Sequence, residues 1–556
     1  MSPLTLSDKG KVNNGFLSSV ALLTASAAAV KLIGVFYKIP LVSMIGIEGM
    51  AYFLAAYHIY TLLFMISTAG LPVAVSILVS RRIAQSDEEG AEGVFSASLK
   101  LFFVIGAVCG GFMYIFADTV AASIKIPEAA ISIRAIAPAL LFVSLSSAVR
   151  GYFQGRGVMY PTAISQVIES AGKLVLGLLF CAFGQRLGYA PHELSAFAIA
   201  GISAGSLLCA VYLFSVKLRH RNGAKKARRE RRILKELLRI AAPITLGAAV
   251  ISLTGVIDTA LVSSRLQAAG FSSAEANSMY SSYGNLAIPL FNLVPSFISP
   301  IAVTVAPMLA SAAELGDRER ERNLLLSAVR LTALITVPAA IGLALFSEPI
   351  LLLLYPSQKN AVGLAAPMLS LLAPAIFSSC MITVTNAVLQ SYKKERVPIY
   401  SMLFGVGVKT VVEYFLLASP KIGIFAAPVS TLLCDLTIVS LNLYFTERHS
   451  CGTSGLIFAA WRPLFASLIP SAASVSLYWV LISRGSDPRL SLLGVIVLDV
   501  LSYLIFAAWN GSVREEDLMF LPKGEKIIKI MKKIRLLRND NEKRRQNKRA
   551  VRQGKI

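Results

Sequence analysis

Residues 154–180 read QGRGVMYPTAISQVIESAGKLVLGLLF, and residues 390–417 read QSYKKERVPIYSMLFGVGVKTVVEYFLL. Each stretch opens on a glutamine, passes a basic turn and a proline (Pro161, Pro398), and enters an apolar run. Each run carries an acid and a base four residues apart: Glu169 with Lys173, and Lys409 with Glu413. Gln154 and Gln390 stand 236 residues apart, as do Lys173 and Lys409. A spacing of four places both ions on one face of a helix. Ions inside a bilayer are costly and ordinarily face a cavity or a partner. A duplicated apolar bundle with ions at its centre is the pattern of a transporter.

Composition supports a membrane location. The chain has 556 residues, 55% of them hydrophobic, with a mean hydropathy of +0.66. No soluble globular class has that balance. The formal charge of +23 is concentrated in two places. Lys217 to Arg239 contributes +9 and Lys523 to Ile556 contributes +11. Both stretches adjoin apolar spans. They therefore read as cytoplasmic flanks attracted to anionic headgroups rather than as a nucleic-acid surface. Neither has interleaved aromatics or a nucleic-acid-binding signature.

A span needs about 20 mainly apolar residues. Fourteen candidates meet that: 15–40, 49–80, 93–117, 127–153, 160–184, 192–216, 236–264, 278–311, 324–347, 362–390, 396–417, 422–446, 456–482 and 488–509. The first is not a cleaved leader, because its apolar character continues past Lys31 to Ile45. Lysines and arginines fall in alternate loops, which places both termini in the cytoplasm. The fold class is thus all-α integral membrane, with fourteen helices.

The pattern restarts after the sixth span. Val73-Ala74-Val75-Ser76 after Pro72 matches Ile301-Ala302-Val303-Thr304 after Pro300. Six spans return the chain to its starting side, so the two copies run parallel, with a central cavity expected between them. The resulting organisation is a cytoplasmic N-terminus (1–14), an N-lobe (15–216), a basic linker (217–235), a C-lobe (236–446), two added helices (447–510) and a basic tail (511–556).

Catalytic and metal motifs are missing from the sequence. There is no phosphate-binding GxxxxGK[ST] loop, and His58, His192, His220 and His449 lack metal-ligand spacing. The six cysteines form no CxxC, and five lie in apolar spans. The expectation is a protein that is not an enzyme, with no catalytic residues and no bound metal.

The ions within the spans are the remaining chemistry. Glu169–Lys173 and Lys409–Glu413 read either as self-neutralising pairs or as a hydrated lining that changes partners. Lys31, Asp258 and Arg265 have no opposite charge three or four residues away. Lys31 and Asp258 lie on the first span of each copy and are the sharper cavity candidates; Arg265 can snorkel outward. Asp435 and Asp499 read as structural hydrogen-bonding groups. Pro72, Pro289, Pro295 and Pro300 interrupt the second and eighth spans. Gly106-xxx-Gly110 and Gly201-xxx-Gly205 are helix-packing signals.

The segments Ala28-Val30-Lys31-Gly34-Pro40, Gly70-Leu71-Pro72 to Ser80-Arg81-Arg82, and Gly151-Tyr152-Phe153-Gln154-Gly155 carry a family likeness. Over about residues 12–510 the chain resembles the polysaccharide transporter branch of the multidrug/oligosaccharidyl-lipid/polysaccharide superfamily, and within it the stage V sporulation protein B group. The resemblance implies a flippase working by alternating access on an undecaprenyl-linked oligosaccharide or a peptidoglycan precursor such as lipid II. It implies a cationic cavity for the pyrophosphate, with Lys31, Arg134, Arg150, Lys173 and Lys409 supplying charge. Asp258, Glu169 or Glu413 would bind a coupling cation, Na+ or H+. The second span departs from relatives that flip lipid II: it has His58 but no arginine or lysine between Ala51 and Ser80.

The implied partners are the undecaprenyl-pyrophosphate sugar, anionic lipids and cell-wall synthesis enzymes, with no nucleic acid. The rival readings are a cation-coupled multidrug exporter of the same fold and a non-transporting scaffold for wall or spore-envelope synthesis. Deleting 523–556 separates the scaffold from the transporters.

Overall fold

The computed structural model describes residues 6–219, 231–449 and 461–513. The middle of the basic linker, Cys451, the start of the span at 456–482 and the basic tail lie outside the described residues. Among the described residues all regular structure is helical.

The first part of the chain forms α1 (Leu6–Thr68), α2 (Leu71–Ala84), α3 (Glu88–Ile115), α4 (Ala117–Ser123), α5 (Ala130–Gly155), α6 (Tyr160–Arg186) and α7 (Pro191–Arg219). It continues with α8 (Arg231–Ala268), α9 (Ser273–Ser281), a π-turn at Ser282–Ala287 and α10 (Ile288–Glu314). Then follow α11 (Arg318–Leu345), α12 (Ser347–Leu354), α13 (Lys359–Ser391), α14 (Arg396–Leu416) and α15 (Ala426–His449). The last two are α16 (Trp461–Ser483) and α17 (Pro488–Trp509).

Among the described residues twelve helices are long and apolar enough to cross a membrane, or thirteen if the bent pair Ser273–Ser299 and Thr304–Glu314 is one span. The longest, Ala29–Ala84, runs through two of the fourteen expected spans. It is not straight. Gly46 sits at φ 69°, a left-handed value that suits glycine. The rings of Tyr37 and Phe53 lie 6.2 Å apart, whereas sixteen residues of straight helix would separate them by about 24 Å. The chain therefore folds back at Gly46. Of the four expected proline breaks, those at Pro72 and Pro300 are present, whereas helix continues through Pro289 and Pro295. Helix stops at Thr68 and restarts at Leu71, just before Pro72. The bent pair turns by 43° between Ser299 and Thr304, where the sequence has Pro300.

The repeat recurs in backbone hydrogen bonds. After α5, Gly157 N donates to Gln154 O and Val158 N to Phe153 O. After α13, Lys393 N donates to Gln390 O and Lys394 N to Leu389 O, each partner 236 residues on. Before α3, Asp87 N donates to Arg82 O, and the Asp87 carboxylate caps Gly90 N. Before α11, Asp317 N donates to Ala312 O, and Asp317 caps Arg320 N, now with an offset of 230. These caps start both helices by occupying amides that have no helical partner. Pro138 in α5 and Pro374 in α13 keep the 236 spacing.

Contacts divide the chain into two units. The first comprises the described residues of Met1–Asn285 with Ser357–Ala361 and Glu413–Ile424. The second comprises those of Leu286–Pro356, Val362–Val412 and Phe425–Ile556. In the first, α5, α6 and α7 pack on one another, α3 lies on α5, and α1 runs along α5 to α8. Its core includes Leu71, Val75, Phe102, Val149, Phe153 and Leu213. In the second, α10 lies on α11, α11 on α16 and α16 on α17.

The glycine spacing on α7 brings it against α6. A Cβ on Gly201 would lie 2.3 Å from Gly177 Cα, and one on Gly205 2.7 Å from the Glu169 oxygen and the Lys173 nitrogen of the backbone. Both obstacles are main chain and cannot rotate away. Gly205→Leu should therefore cost about 1–3 kcal/mol or more by forcing the helices apart. Gly111→Leu, with nothing within 4 Å, is the control. Thermal unfolding in detergent checks this; equal unfolding temperatures for the two variants would refute it.

Candidate functional site

The antiparallel packing of α5, α6 and α7 decides which ions meet. Arg150, near the end of α5, donates from Nε to Ser165 Oγ at 2.9 Å and from Nη2 to Glu169 Oε2 at 2.8 Å. The same Nη2 lies 3.1 Å from Cys209 Sγ on α7. One guanidinium thus joins three helices. The side chains of Arg150 and Glu169 are only 12% and 25% exposed. Glu169 is not paired with Lys173, its neighbour one helical turn on. The self-neutralising reading fails for this copy, because a fork-shaped donor on the adjacent helix is better placed.

Lys173 is held by aromatic rings instead. Its Nζ lies 5.0 Å from the centroid of Tyr37 and 5.1 Å from that of Tyr57. These rings come from the two arms of α1 on either side of Gly46, so the fold-back assembles the cage. Tyr37 OH donates to Ala198 O at 3.0 Å, which fixes its ring. Beyond Tyr57 a ladder continues through Tyr60 and Phe64, with centroids 6.1 and 5.7 Å apart. Lys38 sits beside Tyr37, reaches Gly284 O at 3.5 Å and lies close enough to feel the charge of Lys173. Among the described residues no carboxylate pairs with Lys38 or Lys173. The arrangement is a basic, tyrosine-walled patch whose positive charge is not internally cancelled.

A second constellation in the same unit surrounds Asp258, which is buried on α8. Next to it, Thr259 Oγ1 lies 2.9 Å from His58 Nδ1 and 2.7 Å from Tyr280 OH, and Tyr280 OH lies 3.2 Å from the same imidazole nitrogen. Gly255 makes room: a Cβ there would stand 3.1 Å from the His58 ring. Glu413 is fully buried in this unit as well.

In the second unit Lys409 is buried on α14, close enough to Asp435 of α15 to act on it electrostatically. Asn442, one helical face along α15, donates to Thr385 Oγ1 at 3.1 Å and to Asn386 Oδ1 at 2.8 Å.

Other sequence candidates lie apart from the cage. Lys31 is exposed. Arg134 pairs with Asp118 at the start of α5, with both side chains well exposed. Arg265 donates from Nε to Tyr414 O at 3.1 Å and lies over the Tyr414 ring at 4.0 Å. Among the described residues no three His, Cys, Asp or Glu side chains gather to hold a metal. Lys38, Tyr37, Tyr57 and the His58–Thr259–Tyr280 contact were not singled out as a site by sequence. The signal was present in the tyrosines of the second span, which recur at Tyr57 and Tyr60 on a helical period.

Comparisons with known proteins agree on the class. A family model described as polysaccharide biosynthesis protein matches residues 16–313, and one described as MatE matches 278–415. The lipid II flippase MurJ of Bacillus subtilis (strain 168) is 25% identical over 462 residues, covering 79% of this chain and 84% of that protein. Stage V sporulation protein B of the same organism is 24% identical over 521 residues, covering 91% and 98%. Among solved structures, an inward-facing multidrug resistance MATE family transporter of the MOP superfamily superposes with a TM-score of 0.66 at 17% identity, over 75% of this chain and 94% of that one. At that identity the likeness is one of fold.

Proposed function

The chain belongs to the polysaccharide biosynthesis protein family, and from that premise we propose that it is a flippase. Its cargo in this reading is an undecaprenyl-linked oligosaccharide or a peptidoglycan precursor such as lipid II, moved from the inner to the outer leaflet by alternating access. The coarser frame is firm: an all-α, multi-pass protein of the bacterial plasma membrane, in the superfamily of multidrug, oligosaccharidyl-lipid and polysaccharide transporters.

The observation that carries the proposal is Lys173, whose amino group lies over two tyrosine rings with no carboxylate paired to it among the described residues and with Lys38 close by. Two like charges close together in a low-dielectric site are unfavourable until an anion joins them. A pyrophosphate diester supplies that anion, and the saccharide next to it suits the tyrosine faces and hydroxyls. Arg150 is already committed to Glu169, so its role is to hold the helices that carry Lys173. An inward-negative potential of 100 mV acts on each moved charge by about 2.3 kcal/mol. It would help an anionic headgroup outward and the empty, positive site back. Of the three carboxylates considered for a coupling Na+ or H+, Asp258, Glu413 and Glu169, the last is held by Arg150.

Two observations favour a second reading. The MatE match and the ladder from Phe53 through Phe64 also fit an exporter of aromatic cations. Reconstitution separates the two. Proteoliposomes should translocate a fluorescent undecaprenyl-pyrophosphate saccharide several-fold faster than empty vesicles, and ethidium should neither be carried nor compete. Carriage of ethidium without any acceleration of the lipid would give the second reading the field.

A further inference from the structure

The two helices outside the repeat bury an acid that none of the preceding chemistry uses. Asp499 lies near the middle of the 22-residue α17 and is 9% exposed. Facing it on α16 is a row of hydroxyls, Ser467, Ser471 and Ser474, spaced four and three residues apart and all buried. Ser467 Oγ spends its proton on Pro463 O at 2.7 Å. Ser471 Oγ donates to Asp499 Oδ2 at 3.2 Å, and Ser474 is within hydrogen-bond reach of the same carboxyl. The other carboxylate oxygen, Oδ1, is buried and has no hydrogen-bond partner among the described residues.

Apolar side chains lie to either side along the helix pair. Tyr478, Leu492 and Val495 pack on one side, and Ala466, Tyr503 and Ala507 on the other. Pro470, one residue before Ser471, has no N–H for the Ala466 carbonyl, which adds a main-chain oxygen without its helical donor. An ionised carboxylate at mid-membrane with a bare oxygen is strongly disfavoured. What removes that penalty must carry one positive charge and bind oxygen. Two hydroxyl groups give the carboxylate polar support but no charge.

We infer that Asp499, with Ser471 and Ser474, forms a binding site for one monovalent cation within the C-terminal helix pair. The occupant is a proton on Oδ1 or a small alkali ion held by Oδ1 and the neighbouring hydroxyl oxygens. Hard cations of this kind take oxygen ligands, and the site offers only oxygen. The inference is independent of which lipid is carried, and its site is separate from Asp258 and Glu413. A structural hydrogen bond, the reading from sequence alone, accounts for Oδ2 but leaves Oδ1 unexplained.

A hydrophobic carbodiimide tests it, because this reagent traps protonated carboxyl groups in apolar surroundings. The full-length protein in lipid nanodiscs would be treated with dicyclohexylcarbodiimide across a pH series, with adducts located by peptide mass mapping. The Asp499 adduct should fall by about tenfold for each pH unit above the titration midpoint of the site. Asp499→Asn should lack it, and Ser471→Ala/Ser474→Ala should shift the profile. Two parallel series, in sodium chloride and in choline chloride, identify the occupant. Suppression of labelling by sodium indicates the alkali ion, and superimposable series indicate the proton. Asp499 left unmodified at every pH in choline chloride, or modified equally at every pH in both salts, would overturn the proposal.

Discussion

Lys173→Gln will slow the translocation of a labelled undecaprenyl-pyrophosphate saccharide in proteoliposomes by at least about tenfold, while Lys173→Arg will keep most of the wild-type rate. The magnitude follows from the loss of a hydrogen bond to a charged group, worth about 1.5–3 kcal/mol, at roughly 1.4 kcal/mol per factor of ten. The arginine control works because a guanidinium also sits well over tyrosine faces and keeps the positive charge. Glutamine keeps much of the length and polarity of lysine, so the cage between Tyr37 and Tyr57 should not collapse. Thermal unfolding of both variants should lie near that of the wild type. A wild-type rate for Lys173→Gln would remove this side chain from the substrate path.

The second large effect is on stability. Arg150→Met alone should destabilise the protein by about 3–5 kcal/mol, because it leaves the Glu169 carboxylate buried without its counter-ion. Arg150→Met combined with Glu169→Gln should recover most of that loss, since both charges are then gone. The four proteins form a double-mutant cycle. Denaturation in mixed micelles reads it out; a double variant no more stable than Arg150→Met alone would mean that the guanidinium acts mainly through Ser165 and Cys209.

The spans were legible in the sequence because apolar length is a local property; the breaks were legible only at Pro72 and Pro300, because a helix can continue through a proline when its neighbours hold it. The repeat was legible through Gln154 and Gln390, whose turns proved to share their hydrogen bonds. The partners of the ions were not. Four-residue spacing left open whether Glu169 meets Lys173, and the outcome depended on Arg150, nineteen residues earlier and brought alongside by packing. The tyrosine cage was hidden for a similar reason. The reversal between the first two spans was expected, but which faces of its two arms meet Lys173 was not. The side-chain environment of Asp499 depends on which face of α17 meets α16, and the serine row on α16 gives that face only after the two helices are known to touch.

The shared offset of 236 also makes the chain its own outgroup. Lys173 and Lys409 occupy equivalent places, yet the acids do not: Glu169 corresponds to Gly405, and Glu413 to Gly177. Where one copy has a glutamate, the other has a glycine pressed against a neighbouring helix, Gly177 against Ala198 O and Gly405 against Cys434 O and Ile438. One half thus carries its acid four residues before the shared lysine, and the other half four residues after it. Swapping the corresponding segments between the halves would keep the shared lysine in place and move the acid to its other side, so the two halves are not interchangeable parts.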